Sequence, residues 1–322
     1  MLRLAGFRLL TVAAALLCAS QAAMAFGAEG HRAVGEAART LLSAKARAHV
    51  VQILGSDDLA SISTWPDDVR AAARGFGPLS GNADAAAFNS LFPGNASWHF
   101  SDIPLGETAY TDNDPFSKST DVVHAINLCI RSLEGDKLAL NGATKKQVLS
   151  LLVHFVGDVH QPLHVGEGFY NLDNPRLPVL VTDPRLAVVL PDDRGGNELY
   201  YTHSEELHAM WDDRLVERAF RAKDFHVLAK GLESQIPAHR VRTPGDYHRW
   251  AEAWASDSLA AARAAYAGIT FGPATLGRNG RIRRIEITLP PGYENSQLAN
   301  MRKQLADAAW RLADLLDSIA WK

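Results

Sequence analysis

The residue types able to do chemistry concentrate in one short span, Leu152-Val-His154-Phe-Val-Gly-Asp158-Val-His160-Gln-Pro-Leu-His164. His154 and Asp158 are four apart, which on an α-helix puts both side chains on one face, a turn apart. Pro162 stops that helix, so His164 leaves on the returning chain. The geometry repeats downstream at His208 and Asp212, within Leu207-His-Ala-Met-Trp-Asp212. Imidazole nitrogens and carboxylate oxygens are ligands that zinc takes in near-tetrahedral sets, and the two oxygens of one carboxylate can bridge two ions. Asp158, flanked by His154 and His164, is the best placed to bridge. The pattern predicts a metal site assembled between helices.

His31, Asp67 and His99 are further candidate donors. Each candidate has an ordinary reading when taken alone. Asp67 is then a solvated turn residue beside Asp68, and His99 is a core histidine between Trp98 and Phe100. His208 and Asp212 become a surface ion pair worth roughly a few tenths of a kcal/mol. His160 lies close enough to be a member of the site or a support behind it. His49, His124, His203, His226, His239 and His248 have no comparable context. What favours a site is the coincidence of two His-x-x-x-Asp pairs and His164 in helical sequence.

The elements that must position these residues are mostly helical. An alanine-rich helix is predicted from Gly30 to about Leu54, with His31 at its head. A second spans about Asp57 to Arg74, with Pro66 marking a kink or a start just before it. Gly75 to Pro115 is rich in Gly, Pro, Asn and Ser and reads as loop around Trp98-His99-Phe100-Ser-Asp102. Helices follow at Thr120–Leu133 and Ala143–His160, the latter burying Val148, Leu151, Leu152, Phe155 and Val159. Between residues 165 and 194 the chain turns to Pro, Asp and β-branched residues. There Val179–Val181 and Ala187–Leu190 are expected to form a small hairpin, and Gly195-Gly196-Asn197 ends the stretch. Thr202-His-Ser-Glu205 reads as a capping box for the helix carrying His208 and Asp212. Thr243-Pro244 opens another helix, to about Tyr266. Arg281–Leu289 alternates like an exposed strand. A last amphipathic helix from about Asn295 buries Leu298, Met301, Leu305, Ala308, Leu312, Leu315 and Ile319. The expectation is one mainly α domain with a minor β hairpin.

The chain has 322 residues, is 47% hydrophobic and 21% charged, and carries a net charge of −3. It can bury a large core, and the near-neutral balance argues against tight non-specific duplex binding. Residues 1–25 read as a signal peptide. Arg3 and Arg8 precede an apolar run from Leu9 to Cys18, and Ala23-Met24-Ala25 is a small-x-small cleavage site. The run is too short to span a bilayer. A periplasmic or secreted mature protein beginning at Phe26 is expected, with no stable membrane anchor. Of the two cysteines only Cys129 would survive cleavage. No intrachain disulfide is then possible, and Cys129 reads as a small buried hydrophobe. Any metal site must use nitrogen and oxygen alone.

These motifs resemble those of the trinuclear-zinc single-strand nucleases of the S-one/P-one type, related to zinc-dependent phospholipase C. Phe26-Gly-Ala-Glu-Gly-His31, Trp65-Pro-Asp67-Asp-Val-Arg70, Trp98-His99-Phe100-Ser-Asp102, the His154–His164 motif, Gly195-Gly-Asn197 and Leu207-His208-Ala-Met-Trp211-Asp212 occur in the family's order across residues 26–322. The resemblance implies a phospholipase C/nuclease-like helical bundle holding about three zinc ions. It assigns Asp67, His99, His154 and Asp158 to one ion. A second, sharing Asp158, takes His31 with the amine and carbonyl of Phe26 as the mature first residue. The third takes His164, His208 and Asp212. It further implies that Asp67 orients the attacking water and Arg70 contacts the scissile phosphate. Phe100 stacks a nucleobase, and Asp102 hydrogen-bonds its edge.

The implied activity is hydrolysis of single-stranded DNA and RNA to 5′-phosphorylated nucleotides, with 3′-nucleotidase activity and no obligate protein partner. Two departures stand out. Phe26 replaces the family's usual Trp, and the 165–194 stretch is longer than its flanking motifs usually enclose, which bears on substrate preference. Two rival readings share the donors. One is a phospholipase C, which needs no base pocket. The other is a non-catalytic zinc-binding protein, which has no need of Arg70.

Overall fold

The computed structural model describes residues 26–113, 115–236 and 242–322, so the expected signal segment lies outside the described residues. In chain order the helices are α1 (Gly27–Leu41), α2 (Ala44–Leu54), α3 (Trp65–Ala72), α4 (Ala83–Leu91), α5 (Val122–Leu133), α6 (Lys145–Asp158) and the short α7 (Pro184–Ala187). Then come α8 (Leu207–Ala209), a π-helical segment (Met210–Arg214), α9 (Leu215–Phe220), α10 (Phe225–Gln235), α11 (Trp250–Tyr266) and α12 (Tyr293–Ser318). The strands are β1 (Ile103–Pro104), β2 (Gly166–Glu167), β3 (Phe169–Asn171), β4 (Val179–Val181), β5 (Leu199–Tyr200), β6 (Thr270–Leu276) and β7 (Ile282–Thr288).

The bundle is built round α6. Thr144 and Gln147 form a capping box that fixes its start. Every residue from Val148 to Asp158 is buried, as a helix apolar on all sides must be. The helices α1, α2, α3, α5 and α12 pack against it. Because its final turn is also buried, His154 and Asp158 are delivered to the interior. Pro162 sits in a 3-10 turn, Pro162–His164, that carries His164 back past the same point. The mainly α single domain expected from the sequence is what forms.

Several local expectations are corrected. The predicted Gly30–Leu54 helix is two helices, because Ser43 leaves the helical region and caps α2 by accepting from the Ala46 amide. The start at Pro66 is the right alternative of the two, since α3 begins at Trp65 with the proline in its first turn. The expected loop from Gly75 to Pro115 contains α4, capped by Asn82. The hairpin partner of Val179–Val181 is Phe169–Asn171, in β3–β4, whereas Pro184–Ala187 turns helical behind an Asp183 cap. Thr202 does accept from the Glu205 amide, but that motif closes a turn and the helix opens at Leu207. The helix expected from Thr243 starts later, at Trp250, after a 3-10 turn at Tyr247–Arg249. Finally, β7 is the central strand of a three-stranded sheet, order β5-β7-β6, and buries Ile282, Ile285 and Ile287. Its alternation marked a half-buried strand.

Cys129 lies buried on α5 as a free thiol, and burial pushes its pKa up. No described helix is long and apolar enough to cross a membrane.

Candidate metal centre

Five separate stretches of chain bring the donors together, the first four being α1 with His31, α3 with Asp67, the segment before β1 with His99, and α6 with His154 and Asp158. His164 follows on the 3-10 turn, while His208 and Asp212 come from α8 and the π segment. All eight side chains are buried, so the ordinary readings of Asp67 as a solvated turn residue and of His208–Asp212 as a surface pair do not hold. Asp158 is the hub. Its Oδ1 lies 3.3 Å from His31 Nε2 and 3.8 Å from His164 Nδ1, and its Oδ2 lies 3.0 Å from His99 Nδ1 and 3.2 Å from His154 Nε2. Asp67 closes that side, with oxygens 3.6 Å from His99 Nδ1 and 3.7 Å from His154 Nε2. Three groups of donor atoms are compact enough for a metal: His31–Asp67–His154, His99–His154–Asp158 and His164–His208–Asp212.

Backbone carbonyls orient the rings. The Nδ1 atoms of His154, His164 and His208 lie 2.7, 2.6 and 2.6 Å from the carbonyls of Ser63, His99 and Gly195. A carbonyl only accepts, so each Nδ1 donates and each Nε2 keeps its lone pair. His164 and His208 then point two lone pairs at each other across 3.2 Å. That arrangement is repulsive unless a cation lies between them. Nitrogens on tetrahedral bonds of about 2.0–2.1 Å to one ion sit roughly 3.3 Å apart, which matches. A second observation agrees. Both ring nitrogens of His31, Asp67 Oδ2, Asp158 Oδ1 and Asp212 Oδ2 are buried with no hydrogen-bond partner among the described residues. Leaving such atoms unsatisfied costs about 1–3 kcal/mol each, and metal ligation would remove that cost. The donors fit a nitrogen–oxygen metal centre.

Electrostatics favour the neutral, ligating form of His31, His99, His164 and His208, in each case through burial first. Burial, reinforced by Arg70, lowers His99 to about 4, and burial, then His164, lowers His208 to about 3. For His154 burial also lowers the pKa, but Asp158 and Asp67 outweigh it and the net shift is upward. Burial likewise opposes ionisation of Asp158, yet His154, His31 and His99 hold it well below the usual carboxylate range. Asp212 is pushed well above that range by burial, against a 2.8 Å hydrogen bond from Gln161 Nε2.

Among the other predicted residues, Phe26 is buried at the head of α1, and its carbonyl accepts from Gly30 N at 3.1 Å. Arg70 is buried and pairs with Asp67 at 3.0 Å. Phe100 and Asp102 stand outside the histidine cluster, half-buried on the stretch that leaves His99, and Lys118 pairs with Asp102. His160 turns away, donating to the Val156 carbonyl and accepting from Arg311. The sequence reading missed Gln161, although its place between Asp158 and His164 pointed to it. It also missed Gly157, where a Cβ would lie 2.7 Å from His31 Nδ1. The carbonyls of Ser63 and Gly195 left no side-chain signal to find.

A buried His/Asp cluster set between helices, with an arginine against one of its carboxylates, defines a metal-binding enzyme site. The family model of the S1/P1 nucleases matches residues 26–321, and the chain belongs to that family. It is a hydrolase acting on phosphodiester bonds. It is 25% identical over 330 residues to Nuclease S1 of Aspergillus oryzae, covering 97% of this chain and 98% of that one. Endonuclease 1 of Arabidopsis thaliana is 24% identical over 326 residues, covering 94% and 90% respectively. Nuclease P1 of Penicillium citrinum is 25% identical over 313 residues, covering 91% and 97%.

Proposed function

We propose that this protein is an exported zinc enzyme that cleaves single-stranded DNA and RNA endonucleolytically, leaving 5′-phosphates, and that it also removes 3′-phosphates from nucleotides. The observation that carries the reading is the convergence of eight buried His and Asp donors beside Arg70, with Phe100 and Asp102 on the adjoining stretch. His31, Asp67, His99, His154 and Asp158 would hold two zinc ions with Asp158 between them, and His164, His208 and Asp212 a third. The backbone of Phe26 would complete the His31 set once residues 1–25 are removed. When bound, zinc supplies Lewis acidity toward phosphoryl oxygens and lowers the pKa of water toward ~7. Asp67 has two acceptor oxygens facing the cluster and orients the attacking water. Arg70, held by Asp67, presents a fixed fork of donors to the scissile phosphate and offsets its charge. Phe100 stacks a base, which favours unpaired strands because a base inside a duplex has no free face.

A phospholipase reading has one observation in its favour: Leu177, Val179, Leu186, Val188 and Val189, all in the 165–194 stretch, are exposed. The deciding assay strips the mature protein with chelator, restores zinc, and offers single-stranded DNA, RNA, duplex DNA and phosphatidylcholine vesicles in parallel. Zinc-dependent release of 5′-nucleotides from single strands is expected. Hydrolysis of lipid alone would replace the nuclease reading, and no hydrolysis of any substrate would leave a zinc-binding protein.

A further inference from the structure

The long stretch between residues 165 and 194 begins beside the proposed base pocket. Strand β1 pairs in parallel with β2, with Pro104 opposite Glu167. Asp102 immediately precedes β1 and lies within electrostatic reach of Glu167. Glu167 is 4% exposed. Its Oε1 accepts from the Gly195 amide at 3.0 Å, while its buried Oε2 has no hydrogen-bond partner among the described residues. Its nearest charged surroundings are Asp102, Asp192 and Asp193. Lys118 is the cation of the group, paired with Asp102 and within electrostatic reach of Glu167 and Asp192. Burial first, then these carboxylates, push the Glu167 carboxyl well above the usual range, which favours the form that carries an O–H. Asp193 differs. It accepts from Tyr170 at 2.8 Å, from Tyr266 at 3.0 Å and from the Gly196 amide at 3.0 Å, and it belongs to the scaffold.

We propose that Glu167 is a base-reading residue, and that with Asp102 it makes the pocket selective for guanine. The inference rests on the reading of Phe100 and Asp102 as the base pocket. A carboxylate meets two donors side by side on the Watson–Crick edge of guanine alone, at N1–H and N2–H₂. The adjoining O6 needs a donor, which Glu167 Oε2 supplies with Lys118 beside it. Adenine and cytosine put an acceptor where the second donor should be. Uracil and thymine set one donor between two acceptors.

The test uses the zinc-loaded mature protein and single-stranded trinucleotides that differ only in base, with inosine and abasic trimers included. For the wild type, kcat/KM for guanine is expected to exceed that for each other base and for inosine, which lacks the N2 amine, by roughly tenfold or more. E167Q keeps an acceptor for Gly195 and a donor for O6, so the preference survives in it. In E167M the guanine advantage, taken relative to the same variant's rate on the abasic trimer, falls by roughly tenfold. A uniform loss across all trimers, abasic included, would mean that Glu167 acts only through Gly195 and His208, and would overturn the proposal. If E167M fails to fold, the wild type still decides, because equal rates on guanine, inosine and adenine trimers also overturn it. A wild type inactive on every trimer would refute the nuclease reading itself, which is a separate outcome.

Discussion

Asp158 shows how much one side chain can be asked to do. Four histidines lie within 3.8 Å of its two oxygens, and they include His164 from the other half of the cluster. Asp158→Asn keeps the shape, removes the charge and exchanges one acceptor for a donor. Activity is expected to fall more than about 100-fold, beyond the range for losing a supporting residue, and further than for His31→Ala. Elemental analysis should find fewer bound zinc ions in the Asn variant. Equal residual activity in the two variants would argue against bridging. Phe100 makes a different kind of contribution. Phe100→Ala should weaken use of single-stranded substrate by roughly 1–3 kcal/mol, the range for one base stack. The rate on an abasic phosphodiester should change little, and an equal loss on both substrates would make Phe100 structural.

At the scale of elements, the closeness of α1 to α6 is set by a glycine. Gly157 faces His31, and a Cβ there would lie 2.7 Å from Nδ1 and 2.8 Å from Cε1. Replacing a glycine inside a helix with alanine normally stabilises by up to about 0.5–1 kcal/mol, and Gly157 is the last residue but one of α6. Gly157→Ala should reverse that sign and displace the His31 ring from Asp158, giving less bound zinc in a protein whose circular dichroism is unchanged. A second junction joins the end of α5 to the 3-10 turn before α11. His248 Nε2 lies 2.9 Å from Glu134 Oε2, and Nδ1 lies 2.8 Å from Asp246 Oδ1. Burial lowers the His248 pKa, but these carboxylates outweigh it and the net shift is upward. Burial raises Glu134, but its bonds to His248 and Tyr247 outweigh that and the net shift is downward. The histidine's contribution is full below its unfolded pKa and fades as pH rises through the higher folded value. The glutamate's is full above its unfolded pKa and is lost as pH falls through the lower folded one. Their common window runs from about pH 4.5 to 6.5. Thermal melts of His248→Ala should therefore show a lower Tm than wild type at pH 5.5 and a much smaller difference at pH 9.

For the whole molecule, the metal centre ties distant parts of the chain. Donors from residues 31 to 212 meet round the last turn of α6, and several of their buried polar atoms lack hydrogen-bond partners among the described residues. Ions that bind the folded state and not the unfolded one stabilise it, by about 2.7 kcal/mol at a free concentration of 100 Kd. Chelation should thus lower Tm by at least several degrees in calorimetry, and zinc should restore it. An unchanged Tm after complete metal loss would mean that the scaffold holds the site open without help.

What the sequence determined by itself was everything carried by short-range spacing. The i, i+4 pairs, the proline behind Asp158, the period of α12 and the alternation of β7 each register within one element. The ordered motifs round His31, Asp67, His99, His154–His164 and His208–Asp212 pointed to the family. Tertiary structure decided the rest. Ser43 and Asn82 made breaks and starts through capping bonds too local and too common to stand out in the sequence. The strand partner of Val179–Val181 was settled by pairing with Phe169–Asn171, where a nearer apolar run, Ala187–Leu190, looked as suitable. The ring orientations of His154, His164 and His208 were set by the carbonyls of Ser63, His99 and Gly195, atoms that every residue possesses and no sequence pattern marks. Glu167 came opposite Pro104, and so near Asp102, through the pairing of β1 with β2. Side-chain chemistry is written residue by residue, but which atoms face each other across 3 Å depends on contacts between residues dozens of positions apart.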